Sequence, residues 1–267
     1  MTKPRVLVTA EGGIAVIRFN RAEVLNAIDQ RMWEALVDAV REVARDPGVR
    51  VVLITGNGRA FCVGADLKET AWRGETQDES RRRVERNQQQ LAREMVVAPV
   101  PIIAAINGYA LGGGLEIALA ADLRIAGASA RFGFPETTIG RFISGGASLL
   151  LPRAVGVSWA KRLVFTGEHL DADEARAIGL VEEVVEDERL LDRAEELART
   201  IAGNAPVSVA LAKRILNRVA IGDLETALAF ETEGLLATYA TADNERGAAA
   251  FARRAAPIRR PRTPSRF

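Results

Sequence analysis

Three consecutive glycines, Gly112, Gly113 and Gly114, stand just before Glu116 in the stretch Asn107-Gly-Tyr-Ala-Leu-Gly-Gly-Gly-Leu-Glu-Ile-Ala-Leu-Ala-Ala-Asp122. Without Cβ atoms at a strand-to-helix turn, a ligand can approach main-chain N–H groups that the first helical turn leaves unpaired. Such donors suit an oxygen that acquires negative charge during a reaction. Glu116 follows Gly113 by three residues, which on a helix puts its carboxylate on the face of that amide. An acid/base group would then stand beside an anion site. The plain alternative is a close helix–strand contact followed by an ordinary glutamate, since a glycine triplet is a weak signal by itself. A second small-residue segment, Ala60-Phe-Cys-Val-Gly-Ala-Asp-Leu-Lys-Glu69, again leaves amides accessible around Gly64 and Ala65. A further acid, Glu136, follows Pro135 at the end of a strand-like run, where the proline predicts an extended backbone entering a loop rather than a helix.

Other chemistries lack their residues. The single cysteine, Cys62, excludes an internal disulfide, and with one histidine it cannot make the usual zinc site. That histidine, His169, lies in the polar stretch Thr166-Gly-Glu-His-Leu-Asp, predicted to be a solvent-exposed turn before a helix, and any Ser-His-Asp triad would depend on it alone. There is no phosphate-cradling Gly-x-x-x-x-Gly-Lys-Ser/Thr loop and no Gly-x-Gly-x-x-Gly after a strand. By elimination, the chemistry rests on carboxylates and backbone donors.

The elements that must position these groups can be read from periodicity. Residues 5–9 and 14–19 form a hairpin around Glu11-Gly-Gly13. A helix spans about residues 29–45, with Met32, Leu36, Val40 and Val43 at helical spacing, and residues 49–55 form a strand buried on both faces. Residues 73–93 are predicted to form a polar loop and then a helix. Residues 101–106 form a buried strand running through the glycine turn into the central helix, and residues 123–134 form a strand pair. Helices follow at about 147–154, 158–165 and 172–178, with a short strand at 181–185. Four longer helical patterns come after these, at about 187–203, 206–221, 223–241 and 244–254. This order predicts an α/β core with an appended helical layer.

The chain has 267 residues, 48% hydrophobic and 27% charged, with a formal net charge of +1. This balance describes a soluble globular protein and calls for neither nucleic acid nor an anionic membrane as partner. No run approaches the roughly 20 apolar residues that span a bilayer, and no apolar signal core follows Met1, so a cytoplasmic protein is expected. The tail, residues 257–267, is rich in proline and arginine and is expected to be mobile.

With these segments in place, the sequence resembles the crotonase superfamily, most closely the enoyl-CoA hydratases, from about residue 5 to 257. Four matches in order carry the resemblance. Asn20-Arg-Ala-Glu-Val-Leu-Asn-Ala-Ile28 is similar to the adenosine-side loop, and Ala60-Phe-Cys-Val-Gly-Ala-Asp-Leu-Lys68 to the first oxyanion segment. Residues 107–122 resemble the second oxyanion segment, and Gly133-Phe-Pro-Glu136 the segment bearing the second acid.

The resemblance implies a ββα spiral core over residues 1–187 and a helical trimerisation region over 188–256. It implies assembly as a trimer or a dimer of trimers, with an acyl-CoA thioester as substrate and no separate cofactor. The amides of Ala65 and Gly113 would form the oxyanion hole, and Glu116 and Glu136 would be the catalytic pair. Val24, Asp66, Leu67 and Lys68 would contact the CoA thioester beside those amides. Phe251 and Arg254 fall in a segment that reaches CoA from a neighbouring subunit, Arg254 standing where a lysine is usual. Phe134, Ile143 and Leu149 would wall the acyl pocket. The sequence departs from the family after Glu136: Gly140-Arg-Phe-Ile-Ser-Gly-Gly-Ala-Ser-Leu-Leu-Leu151 lacks the usual proline and Gln-Arg pair. Ile143, Leu149 and Leu150 bring apolar side chains there, so an altered, size-selective acyl pocket is expected.

Hydration through Glu116 as base and Glu136 as acid is the expectation, with the reverse assignment standing beside it. A crotonase-fold isomerase relying on the Glu136 position and an acyl-CoA hydrolase remain as alternatives. A non-catalytic or RNA-binding relative has only the arginine-rich tail in its favour.

Overall fold

The computed structural model describes residues 3–69 and 74–221, together with the later helical positions 225, 228, 229, 232, 236, 239, 245, 246 and 249. β1 (Val6–Glu11) and β2 (Ile14–Phe19) pair as the expected antiparallel hairpin. The next strands are β3 (Val51–Gly56), β4 (Ala60–Cys62), β5 (Ile102–Ile106), β6 (Tyr109–Leu111), β7 (Leu123–Gly127), β8 (Arg131–Gly133), β9 (His169–Asp171) and β10 (Glu183–Val185). A six-stranded sheet has the order β1-β2-β3-β5-β7-β10, parallel from β2 onward. A four-stranded sheet has the order β4-β6-β8-β9, with β9 antiparallel to β8. Successive turns of the chain each give one strand to the large sheet, one to the small sheet, and then a helix. This is a ββα spiral.

Several local expectations change. Residues 123–134 do hold two strands, but β7 and β8 do not pair with each other, because each joins a different sheet. The central strand does not run straight into its helix: it bends after β5 at Asn107-Gly108 and adds β6 before turning. His169 sits in strand β9 rather than a turn, though it remains exposed. Pro135–Ile139 is a short 3-10 helix, not extended chain, since a proline at the first helical position sacrifices no internal hydrogen bond.

The helices close both faces of the large sheet. α1 (Gln30–Arg45) is capped by Asp29, whose side chain accepts from Met32 N at 2.9 Å, and it buries Met32, Trp33, Leu36, Val40 and Val43. α2 (Gln77–Val84) leads through a π-helical stretch, Glu85–Gln89, into α3 (Gln90–Val97). α4 (Gly113–Ala120) follows the glycine turn; α5 (Ala147–Thr166) is broken at Gly156; α6 (Ala172–Ala177) is short. α7 (Leu190–Ala202) and α8 (Pro206–Ile221) end the continuous part. Alternation along the parallel strands divides the core. Val52, Ile54, Ile102, Ala104 and Ile106 face the layer of α1, α3 and α4, whereas Val51, Leu53, Ile103 and Ala105 face α7.

That second packing corrects the reading of α7. Leu190 and Ala194 are buried against the sheet of their own chain, with Leu197 and Ile201 partly buried beside them. The stripe therefore completes the core instead of offering a surface for a partner. Lys213 of α8 is likewise tied inward, its Nζ 2.8 Å from Asp122 and 3.0 Å from the carbonyls of Met95 and Val100. Among the described residues no helix is long and apolar enough to cross a membrane.

Candidate active site

The turn from β6 into α4 places the first donor. Gly112 has φ 48° and ψ −123°, a conformation that L side chains rarely adopt, and a Cβ there would run into the Glu136 carboxylate. Gly113 then opens the helix with its N–H in the first turn, where no intrahelical acceptor exists. The second donor is set by a single β-bridge between Ile28 and Ala65. Ile28 N donates to Gly64 O at 2.8 Å and Asp66 N to Ile28 O at 2.9 Å. Since neighbouring peptide groups in an extended chain point opposite ways, the Ala65 N–H faces away from Ile28. Neither amide donates to a backbone carbonyl among the described residues. The segments touch, because a Cβ built on Gly64 would stand 3.0 Å from Gly113 N. Two unspent N–H groups thus occupy adjacent segments, and both residues keep some exposure.

The two acids have unlike surroundings. Glu116, in the first turn of α4, is 4% exposed, and Ser144 donates to it twice: its N–H to Oε1 at 2.6 Å and its hydroxyl to Oε2 at 3.0 Å. Glu136 reaches Gly112 from the 3-10 helix, and its buried Oε2 has no hydrogen-bond partner. Burial pushes the Glu136 carboxyl up to about 7, with a backbone hydrogen bond and the positive charge of Arg141 pulling the other way. One acid is held by donors and the other is left poised near neutrality. Cys62 lies close by, but burial raises its thiol to about 12, so it stays an unreactive packing group.

The largest concavity, about 830 Å³ between α1 and the α2–α3 run, is lined by charged side chains and contains neither acid of this pair nor either amide. The site is smaller: a cavity of about 50 Å³ bounded by Ala65, Ile28, Trp33, Gln88, Arg141 and Tyr239. A second hollow of about 10 Å³ touches Glu116 and shares Trp33 and Gln88 as walls. The Trp33 ring also stands 3.6 Å from the Cβ position of Gly113, so it spans the donors and the Glu116 side.

Arg21 fixes the loop ahead of this cavity. It is 8% exposed, lies 3.1 Å from Asp66 and 3.5 Å from Asp29, and donates to the Ala27 carbonyl. Asn26, at φ 56°, accepts from Arg21 N at 2.9 Å and donates to Asn57 O and Ala60 O. The loop carrying Val24 is thereby tied to the segment carrying Ala65.

The structure brings Ala65, Gly113, Glu116 and Glu136 together around the first turn of α4. Val24 and Leu67 are half-buried and Lys68 is exposed, whereas Asp66 turns its carboxylate to Arg21 and to Lys68 N at 3.0 Å. Phe134 is fully enclosed in the core and Ile143 is 6% exposed within it; neither borders the two small cavities, nor does Leu149 in the first turn of α5. Leu150 faces a different groove, with Val96 and Lys213. Phe251 and Arg254 lie outside the described residues. Sequence reasoning missed Ser144, Arg21, Trp33, Gln88 and Arg141. Of these, only Arg21 carried a usable signal, as a charged residue inside a recognised loop motif.

A model of the family described as enoyl-CoA hydratase/isomerase matches residues 9–258. The short-chain-enoyl-CoA hydratase of Clostridium acetobutylicum is 39% identical over 247 residues, covering 92% of this chain and 94% of that protein. The mitochondrial methylglutaconyl-CoA hydratase of Mus musculus is 38% identical over 244 residues, covering 90% of this chain and 77% of that one. The crystal structure of an enoyl-CoA hydratase from Mycobacterium avium subsp. paratuberculosis superposes with a TM-score of 0.87 at 30% identity, covering 96% of this chain and 99% of that one.

Proposed function

Because the chain belongs to the enoyl-CoA hydratase/isomerase family, we propose that it adds water across the α,β double bond of an acyl-CoA thioester, or removes it in reverse. The amides of Ala65 and Gly113 receive the thioester oxygen, on which charge builds as the nucleophile attacks Cβ. Removing one such donor typically costs about 3 to 4 kcal/mol of transition-state stabilisation. The water oxygen bonds to Cβ while its proton passes to Glu116. The displaced π pair is held toward the thioester and then takes a proton at Cα from Glu136. Glu116 gains one proton and Glu136 loses one, so exchange with solvent resets the pair, which titrates as a unit.

The observation that carries this reading is the contrast between the acids. Glu116 accepts two hydrogen bonds from Ser144, as suits a carboxylate base, and Glu136, raised to about 7 by burial, retains a proton to give. An isomerase working through Glu136 alone would have no use for a second buried acid held open by two donors. In the same reading Val24, Leu67, Lys68, Phe251 and Arg254 serve the CoA moiety. The thioester is itself the substrate, and the chemistry draws on no other cofactor. The C-terminal helices of trimers or paired trimers would complete the assembly.

The test is a panel of enoyl-CoA esters, following loss of the conjugated thioester together with appearance of free thiol. Loss of conjugation without thiol, giving the 3-hydroxyacyl-CoA, is expected. Released CoA would point to a hydrolase, and a shifted double bond without uptake of water would overturn the reading in favour of an isomerase.

A further inference from the structure

The wall of the cavity beyond Ala65 is not the hydrocarbon surface that an alkyl chain would need. Arg83 and Arg141 both border it, each guanidinium 5.8 Å from the ring centroid of Tyr239, so the two bracket one aromatic ring. The acids facing the same cavity are already engaged. Asp66 holds Arg21 and Lys68 N, and Glu69 accepts the Gln30 N–H at 3.2 and 3.0 Å. Arg83 gives its Nε to Glu75 at 3.1 and 3.0 Å, and its two Nη nitrogens donate to no described residue.

A neighbouring amide adds to this. Asn87, Gln88 and Gln89 are consecutive buried side chains on the π-helical stretch, a distortion frequent at functional sites. Asn87 is bonded to Gln30, and Gln89 to the Leu228 carbonyl and the Thr232 hydroxyl. Gln88, 9% exposed, borders the cavity with its Oε1 buried and unpartnered. An alkyl tail against this wall would leave an amide and two guanidiniums facing hydrocarbon, an unfavourable burial. The planar donor fork of arginine matches a carboxylate, and a stacked arginine pair presents two such forks.

Resting on the hydratase reading, we propose that the acyl group taken by this chain bears a carboxylate at its distal end, received by Arg83 and Arg141 with Gln88 beside them. The substrate class is a short enoyl-CoA whose chain terminates in a second acid. Arg141 also faces Glu136, so its loss would disturb the reaction centre; Arg83 is not among the charges acting on Glu136 and is the cleaner probe.

The experiment compares kcat/KM for trans-4-carboxybut-2-enoyl-CoA with that for trans-hex-2-enoyl-CoA, a neutral ester of similar length, in the wild type, Arg83→Gln and Arg141→Gln. A ratio of the two esters within one preparation cancels any loss of folded enzyme. The wild type should favour the carboxylated ester by at least about tenfold, and each variant should reduce that preference by at least about tenfold, as expected when a site built for a polar group loses its partner. A wild-type ratio at or below one, or a ratio that neither variant moves, overturns the proposal while leaving hydration intact. Hydration of neither ester overturns the reading on which it rests.

Discussion

Burial holds the Glu136 carboxyl up to about 7 because its Oε2 has neither water nor a donor to stabilise a charge. For a proton donor this sets a descending limb: kcat should fall as pH rises through about 7, and Glu136→Gln should remove the limb along with most of the activity. The sign for stability follows from the same shift. The folded value lies above the ordinary 4.5, so the favourable contribution is complete below about 4.5 and is lost as pH rises toward 7. Glu136→Gln stays neutral throughout, so between pH 4 and 8 it should gain on the wild type by up to roughly 3 kcal/mol in urea titrations. A constant difference across that range would contradict the assignment. Glu116→Gln and Glu136→Gln should each lower kcat by about two to four orders of magnitude. The double variant should fall short of the product of the two, since groups acting as a unit are not additive. Full activity in Glu116→Gln would instead support an isomerase. Both acids and both amides were legible from residue type and spacing. Ser144 was not, because only the folded path of residues 140–147 returns it over the first turn of α4.

At the scale of elements, the buried Arg21 is what joins the loop of Val24, the cap of α1 and the segment of Ala65. It replaces hydration of its guanidinium with Asp66, Asp29 and the Ala27 carbonyl, so removing it leaves two acids with weakened compensation. Arg5, 2.9 Å from Asp29, relieves one of them. Arg21→Leu should cost about 3 to 5 kcal/mol, the usual effect of breaking a buried pair from one side. It should also raise KM more than it lowers kcat, because the loop positions the CoA side while the acids stand on other elements. Unchanged stability in urea, or a loss confined to kcat, would refute this role. Long elements such as α1 and β3 were legible because their periodicity extends over many residues. The small sheet was not: β4, β6, β8 and β9 have three residues each, too few to show a period, and β4 finds its partner in β6 across more than forty residues of chain. Pro135 misled for a related reason, since proline suits the first position of a 3-10 turn as well as an extended strand.

For the molecule as a whole, the sequence suggested association through apolar stripes on the late helices, and the structure moves that argument elsewhere. Leu190 and Ala194 are spent on the sheet, and Leu228 and Leu236 are buried within the same chain. What stays open is a patch where α8 meets the end of α3. Asn217 donates to Val96 O at 3.0 Å, which sets their sequence neighbours Leu216 and Val97, 66% and 70% exposed, on adjoining surface, and Val207 at the start of α8 is 70% exposed. Single exposed leucines and valines are ordinary, but an apolar cluster beside a groove of about 530 Å³ is the kind of surface that association covers. If trimers or paired trimers form, this patch should contribute, and light scattering should give a mass that is a multiple of 28.8 kDa. Val97→Glu combined with Leu216→Glu should lower that mass toward the monomer while helical circular dichroism is retained, because both side chains already face solvent within one chain. A wild type that remains at 28.8 kDa at micromolar concentration would remove the basis for assembly, and an unaltered oligomer in the double variant would place the contact on another face.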